Sequence, residues 1–467
     1  MRLAVIPIVF LAGPALGPTD DPPPAEAARL LLEKAEAGAA RGQYSKAVNT
    51  YERIAKEWPQ TPAGQVAARR IGTSGYVGHV DLVRNGPSRN RVDVAIMGDG
   101  FELGQQGDFD TLAKVAPRNF ERHEVLEEYY AYHNFIRVNL RSKDSGVDQH
   151  GRDYDTALGA FKSGAVQGQV AVRPDLVHAM LAELPEHDSL AIVFVKNGDL
   201  GTGGNGVASV GGRDPKTMVH EWGHAFGGLM DEYTAFTGHR GLVRNGPNVS
   251  RTEDREQVPW RHWLEARVRG VKVYEGADGR PQGAWKPTTN CIMDVGMDFC
   301  PVCREAMVLR IHEFVDPIEG SAPPPHAGPA DAIHVDMKRS VRELEPVEFR
   351  VAVMQPKSHG VTAMWWVLPE EEAPRPTDPD VDRTLKDRRD RGPLPPIEAR
   401  PLARSRRPKG GEHSFSVDPR DFEPGRYRVV CRVVDETRVR GSKGPWVLSD
   451  PAGLLESERT WWLSLDQ

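Results

Sequence analysis

Asp214-Pro215-Lys216-Thr217-Met218-Val219-His220-Glu221-Trp222-Gly223-His224-Ala225-Phe226-Gly227-Gly228 reads as one short helix with a defined start and stop. Asp214 is a good N-cap, because its carboxylate accepts backbone N–H groups that the first turn leaves free. Pro215 suits the first helical position, where no N–H is required, and the Gly227-Gly228 pair stops the helix. His220 and His224 are four residues apart, so they leave the same face with Cβ atoms about 6 Å apart. That spacing lets both imidazoles reach one tetrahedral zinc ion. Glu221 adjoins the first histidine and can address an open coordination position, taking a proton from attacking water and passing it to a leaving amine. The bland alternative is a core histidine pair without metal. The capped helix and the small residues Gly223 and Ala225, which permit close packing, favour the metal.

Two histidines leave such a site short of a protein ligand. Asp231 and Glu232 come just after the helix stop, and both are hard anionic donors. Tyr233 follows them, either as a donor to a developing oxyanion or as a packed neighbour of the site. Further on, Asn290-Cys291-Ile292-Met293-Asp294 places a methionine in a tight turn. Cys300-Pro301-Val302-Cys303-Arg304-Glu305 then opens a helix.

The block from His220 to Tyr233, His-Glu-Trp-Gly-His-Ala-Phe-Gly-Gly-Leu-Met-Asp-Glu-Tyr, resembles the signature of the IgA-peptidase family of zinc metallopeptidases. The resemblance extends to residues 92–100, 134–147 and 195–206 upstream, and to 291–293 and 299–305 downstream. It implies an α/β catalytic domain with a metzincin-like zinc peptidase fold, an active-site helix under a mixed sheet, and a methionine turn below the metal, matched by Met293. It also implies that the third ligand follows the helix-ending glycine by three residues. Counting from Gly228 reaches Asp231, whereas counting from Gly227 reaches Met230, a poor zinc donor. The expected site is therefore His220, His224 and Asp231 on Zn2+, with Glu221 as general base. Glu232 is expected beside it or as the alternative ligand, with Tyr233 and Met293 around it. No residue of the metal motif departs from the family pattern.

Strand and helix signals surround this helix over residues 75–316, the expected catalytic domain. Residues 92–97 alternate into a buried strand, 135–140 read as a second strand, and 191–195, almost wholly apolar, suit a central one; residues 110–130 and 176–184 read as helices between them. The glycine-rich residues 201–206 lack the Lys-Ser/Thr ending of a phosphate loop. They read as a mobile loop leading to residues 207–210, an expected edge strand to which an extended peptide substrate could pair. Asp99, ending its strand, is a candidate for orienting the site or for capping a turn. His239 and His262 carry no assigned role.

Outside this domain the chain reads as three further parts. Met1-Arg2, an apolar run over residues 3–12 and Ala15-Leu16-Gly17 resemble a signal peptide spanning 1–17, which implies a secreted or periplasmic protein. The run is too short to span a membrane. Residues 25–72 form a helix-turn-helix similar to one tetratricopeptide unit, able to dock a partner protein or to act as a spacer. Residues 317–330, rich in Pro, Ala and Gly, read as a linker that leaves a separable C-terminal domain. Within residues 331–467, short alternating runs at 347–354, 362–368, 427–434 and 460–465 predict a small antiparallel β-sandwich. Residues 370–411, dense in proline and charge, read as a long exposed loop carrying Arg404, Arg406, Arg407 and Lys409.

The net charge of -6 and pI near 6.2 argue against nucleic acid or an anionic membrane as partner. Protein or peptide is the expected substrate. Four cysteines are too few for a disulfide scaffold in a chain of 467 residues. A single disulfide from Cys291 to Cys300 or Cys303 is expected, ahead of free thiols. A zinc knuckle ranks last, because no fourth ligand is evident and Cys431 belongs to the β-rich segment. The rival readings are an adhesion module with a retired peptidase fold, against which Glu221 speaks, and a zinc hydrolase acting on a non-peptide amide.

Overall fold

The computed structural model describes residues 24–72, 75–149, 151–162, 168–234, 242–326, 328–340, 342–371, 392–406 and 411–467. The expected signal peptide, His239, Arg407 and Lys409 lie outside these residues. Among the described residues no helix is long and apolar enough to cross a membrane. The chain divides into two compact units, Met1–Ser74 and Gly75–Gln467.

In the first unit, α1 (Pro24–Ala40), α2 (Tyr44–Glu57) and α3 (Pro62–Gly72) pack through small residues. Ala28, Ala35, Ala39, Ala47 and Ala67 are buried, with Tyr51 and Ile54 filling the space between them. The Thr61 hydroxyl accepts the Gly64 N–H at 3.0 Å and so caps α3.

The second unit is built on a six-stranded sheet. Its strands are β1 (Tyr76–Val83), β2 (Val92–Asp99), β3 (His133–Leu140), β6 (Ala191–Val195), β7 (Gly201–Gly204) and β8 (Val207–Val210), in the order β1-β3-β2-β6-β8-β7. The short strands β4 (Phe161–Lys162) and β5 (Val170–Ala171) pair separately. The inner pairs β3-β2, β2-β6 and β6-β8 are parallel, while β1 and β7 join antiparallel at the ends.

Helices cover both faces, which explains why β6 is apolar throughout and why β2 is buried along its whole length, Asp93 and Asp99 included. Between β2 and β3 run α4 (Gln106–Ala113), α5 (Val115–Phe120) and α6 (Glu124–Glu128), and α7 (Pro174–Leu181) precedes β6. The motif helix is α8 (Pro215–Ala225), followed by α9 (Arg261–Glu265) and α10 (Pro301–Phe314). Val94, Ile96, Ile192 and Phe194 share one core with Met218 and Trp222 of α8 and Met307 and Ile311 of α10. Ala95, Met97, Val193 and Val195 face the other way, onto Val177, Met180 and Leu181 of α7.

The glycine-rich stretch differs from its reading as a mobile loop. Residues Gly201–Gly204 are themselves the end strand β7, and Val207–Val210 lies inside the sheet. The glycines are required by contact with α8. A Cβ on Gly203 would stand 2.2 Å from the Glu221 carbonyl oxygen, and one on Gly201 would stand 2.5 Å from Glu221 Cγ.

After the hairpin of β9 (Tyr274–Ala277) and β10 (Arg280–Lys286), the remaining strands form two sheets. One has the order β11-β13-β16, from Ile318–Ala322, Val347–Val353 and Glu412–Val417. The other has the order β12-β18-β17-β14-β15, from Ile333–Asp336, Glu456–Asp466, Gly425–Val434, Thr362–Pro369 and Ala403–Arg406. Phe349, Val351 and Val417 of the first share a core with Trp365, Val429, Cys431 and Trp461 of the second. The expected loop 370–411 contains β15, which pairs with β14 through Arg404 and Arg406 among others.

Residues 317–330 are not a free linker, because β11 pairs along β13. Met354, Trp446, Val447 and Leu455 join the core that holds α8. A buried polar knot also joins the two parts. His359 bonds Glu128 Oε1 through Nδ1 and Asp435 Oδ1 through Nε2, both at 2.7 Å, and the Tyr129 hydroxyl donates to Asp435 at 2.9 Å. A separable C-terminal part is therefore not what the packing provides.

Candidate metal centre

Asp214 caps α8 as its sequence suggests: its carboxylate accepts the Thr217 N–H at 2.9 Å. The buried face of the helix carries Met218, Trp222 and Ala225, and Trp222 stacks on Phe226 with centroids 5.0 Å apart. This packing fixes the roll of the helix and aims His220 and His224 the same way. Gly228 has φ +62°, a left-handed conformation that lets the chain reverse after the helix. The reversal brings Asp231 back to the two histidines.

The three donor atoms form a small triangle. His220 Nε2 and His224 Nε2 are 3.1 Å apart, and Asp231 Oδ1 lies 3.2 and 3.0 Å from them. A tetrahedral zinc ion with ligands at about 2.0–2.1 Å holds its ligand atoms about 3.3 Å apart. The hydrogen bonds at the far side of each ring sharpen this match. His220 Nδ1 faces the Ile292 carbonyl at 2.9 Å, and His224 Nδ1 faces the Leu229 carbonyl at 2.6 Å. A carbonyl only accepts, so each Nδ1 carries the proton and each Nε2 of a neutral ring presents a lone pair. Two lone pairs and a carboxylate oxygen then face one point with no proton between them. Such a donor set fits a cation.

Asp231 is held on its other side as well. Its Oδ2 accepts from Arg244 Nη2 at 3.0 Å, and Arg244 Nε donates to Asp278 at 2.7 Å. Burial opposes ionisation of Asp231; with no cation in the triangle, donation and positive charge from the two imidazoles outweigh it and keep the carboxyl well below the usual range, a role a bound cation takes over when both rings are neutral. Glu221 is buried against β7, and that burial raises its pKa to about 7, with His220 opposing and Asp231 adding to the shift. A cation at the triangle would draw it back down.

Of the other expected residues, Tyr233 stacks on His220 with centroids 6.1 Å apart, and burial pushes its hydroxyl pKa up. Met293 is buried under α8, and its sulfur would stand 2.8 Å from a Cβ on Gly223. The Met293 carbonyl accepts the Glu232 N–H at 2.7 Å. Glu232 is not part of the histidine triangle. Its side chain takes a bond from Asn248 Nδ2 at 2.9 Å and meets Cys303 Sγ at 3.0 Å. Asp99 does not touch the triangle either: it accepts from Thr156, Leu158 and Ala160 and so fastens the loop after β3. His262 bonds Glu305 at 2.7 Å.

The expected disulfide does not form. All four cysteines are free and buried, and Cys291 Sγ stands 3.6 Å from Cys303 Sγ. Sequence reading missed Arg244, Asn248 and Lys286. Each stands in a loop or on a hairpin strand whose return to the site depends on tertiary packing, so no local pattern marks it.

A histidine pair on one helix turn, a glutamate between them and a carboxylate returned by a left-handed glycine define the class of metallopeptidases. Residues 80–269 match the family model described as IgA Peptidase M64, and they include α8 and the turn to Tyr233. The match supports the IgA-peptidase family of metallopeptidases for this part of the chain. No curated protein matches the chain.

Proposed function

We propose that the chain is a zinc-dependent endopeptidase with His220, His224 and Asp231 as its metal ligands and Glu221 as general base. The observation that carries this reading is the triangle of donor atoms 3.0–3.2 Å apart, with the Nδ1 hydrogens of both histidines directed to carbonyls. Zinc bound there supplies Lewis-acid chemistry, polarising oxygen ligands and making water nucleophilic at neutral pH. The Glu221 carboxylate accepts the proton of the attacking water and delivers it to the departing amine nitrogen. Tyr233 keeps the His220 ring oriented by stacking, and Arg244 keeps Asp231 turned toward the histidines. An extended peptide lies along β7, the end strand packed on Glu221.

A metzincin-like fold agrees with the glycine-ended helix and with the methionine turn whose Ile292 carbonyl holds His220. A C-terminal β-sandwich agrees with the shared core of the two late sheets. Export agrees with the basic start and apolar run of the first residues.

Glu221→Gln tests the reading. It should retain zinc at the histidine site and lose about 10²- to 10⁴-fold in peptide turnover. Near-normal turnover, or purified protein whose histidine site binds no zinc, would overturn it.

A further inference from the structure

Beyond the Asp231–Glu232 turn lies a second cluster of donors that the peptidase chemistry does not use. Cys291, Cys300, Cys303 and Glu232 are all buried, and their donor atoms lie within 4.8 Å of one another. Cys291 Sγ to Cys303 Sγ is 3.6 Å, Cys303 Sγ to Glu232 Oε1 is 3.0 Å and Cys300 Sγ to Glu232 Oε1 is 3.9 Å. Zinc–sulfur bonds of about 2.3 Å in a tetrahedron set sulfurs about 3.8 Å apart, and sulfur and oxygen about 3.5 Å apart. A disulfide requires sulfurs about 2.05 Å apart. It would also leave one thiol and Glu232 without a role.

Glu232 supplies an independent reason. Its side chain is fully buried, and its Oε2 has no hydrogen-bond partner. A buried carboxylate with an unpartnered oxygen is costly unless a cation or a proton answers it. Its surroundings favour a cation: the Cys300 N–H points at Cys291 Sγ at 3.3 Å, which stabilises a thiolate. Lys286 Nζ, 2.5 Å from the Glu232 carbonyl and ion-paired with Asp294 Oδ2 at 2.5 Å, fixes the backbone of Glu232 beside the cluster.

We propose that Glu232, Cys291, Cys300 and Cys303 form a second metal site, which takes a thiophilic divalent ion of the zinc type in tetrahedral coordination. The ion is structural, because all four protein donors fill its coordination and leave no open position. It ties the start of α10 to the two turns that serve the histidine triangle. Glu232 adjoins Asp231, and Cys291 adjoins Ile292, whose carbonyl holds His220 Nδ1. These four residues therefore position the peptidase site without touching substrate.

The test uses the full chain with its zinc exchanged for Co2+, beside a His220→Ala/His224→Ala double variant that blanks the first site. Two metal equivalents are expected in the parent and one in the double variant. Both should show intense thiolate-to-cobalt charge-transfer absorption in the near ultraviolet. Cys303→Ser should lose that absorption and one equivalent. If this variant fails to fold, the spectrum of the parent decides alone. A parent lacking the charge-transfer band overturns the proposal, as does one with only two reactive thiols when unfolded without reductant, since that count reports a disulfide. A parent with one equivalent that shows the band keeps this site and removes the peptidase metal, so the two claims fail separately.

Discussion

Asp435→Asn probes the knot that joins the C-terminal sheets to the peptidase core, and its cost can be worked from the bonds it breaks. The His359 side chain is 1% exposed and lies between the carboxylates of Glu128 and Asp435. Burial works against its charge, but bonds to Asp435 and Glu128 outweigh that and raise its pKa from 6.5 to about 9. A rise from 6.5 to about 9 corresponds to about 3 kcal/mol. Removing one of two carboxylates should forfeit about half of that, ~1.5 kcal/mol. Asp435 also accepts from the Tyr129 hydroxyl and the Thr437 N–H. The asparagine nitrogen cannot accept, so either the Thr437 N–H or the Tyr129 O–H loses its acceptor, adding about 1–3 kcal/mol. The total, about 2.5–4.5 kcal/mol, is a large share of the ~5–15 kcal/mol that stabilises a typical domain.

The pH dependence separates the two contributions. The folded pKa of His359 is raised, so its charge stabilises fully below the unfolded value of 6.5 and ceases to do so as pH rises through about 9. Urea unfolding of parent and variant at about pH 6 and pH 10 should therefore show a difference that shrinks by ~1.5 kcal/mol at the higher pH. A difference equal at both values, or a variant as stable as the parent, would refute the ion-pair account of this junction.

Three further outcomes follow from the geometry. In chelator competition read at the peptidase site, Asp231→Ala should weaken the ion far more than Arg244→Ala, for which about tenfold is expected; the reverse order would remove Asp231 from the ligand set. Gly203→Ala drives a methyl to 2.2 Å from the Glu221 carbonyl, whereas Gly204 has nothing within 4 Å. The first should cost about 1–3 kcal/mol and depress turnover, the second little, and thermal melts with peptide assays compare them. A chain ending at residue 326 loses Met354, Trp446, Val447 and Leu455 from the core around α8. It should lose cooperative unfolding, and retained cooperativity with activity would restore the separable domain.

The elements legible in the sequence are those whose signal is local. The cap at Asp214 and the His220–His224 spacing each describe a few consecutive residues. The apolar run of β6 lies where its composition puts it, because a strand buried on both faces needs no partner to announce it, and β2 and β3 lie where their shorter apolar segments place strands. What escaped reading depends on contacts across the chain. The glycines at 201 and 203 suggest a loop by composition, yet they make a strand because Glu221 leaves no room for a side chain there. The stretch 317–330 looks like a linker by composition, and becomes a strand edge only through Val351 and its neighbours on β13. Arg244 and Asn248 reach the site from a loop that no spacing rule connects to α8.

The adjacent acids Asp231 and Glu232 show how far such a reading can go. From sequence they compete for a single role, and the resemblance decides between them by counting from Gly228. In the fold they part. Asp231 Oδ1 points at the two histidines, while Glu232, tethered by its N–H to the Met293 carbonyl, sends its carboxylate toward Cys300 and Cys303. One turn thus faces two donor clusters of different chemistry, imidazole with carboxylate on one side and thiol with carboxylate on the other. The same division holds at residues 291–293, where the Cys291 sulfur joins the second cluster while the next carbonyl holds His220. Because the two clusters share both turns, a shift at the thiol cluster reaches Asp231 through one covalent step and His220 through one covalent step and the Ile292 hydrogen bond. An ion at the thiol cluster would thus hold the histidine triangle at its 3.0–3.2 Å spacing before any ion arrives there.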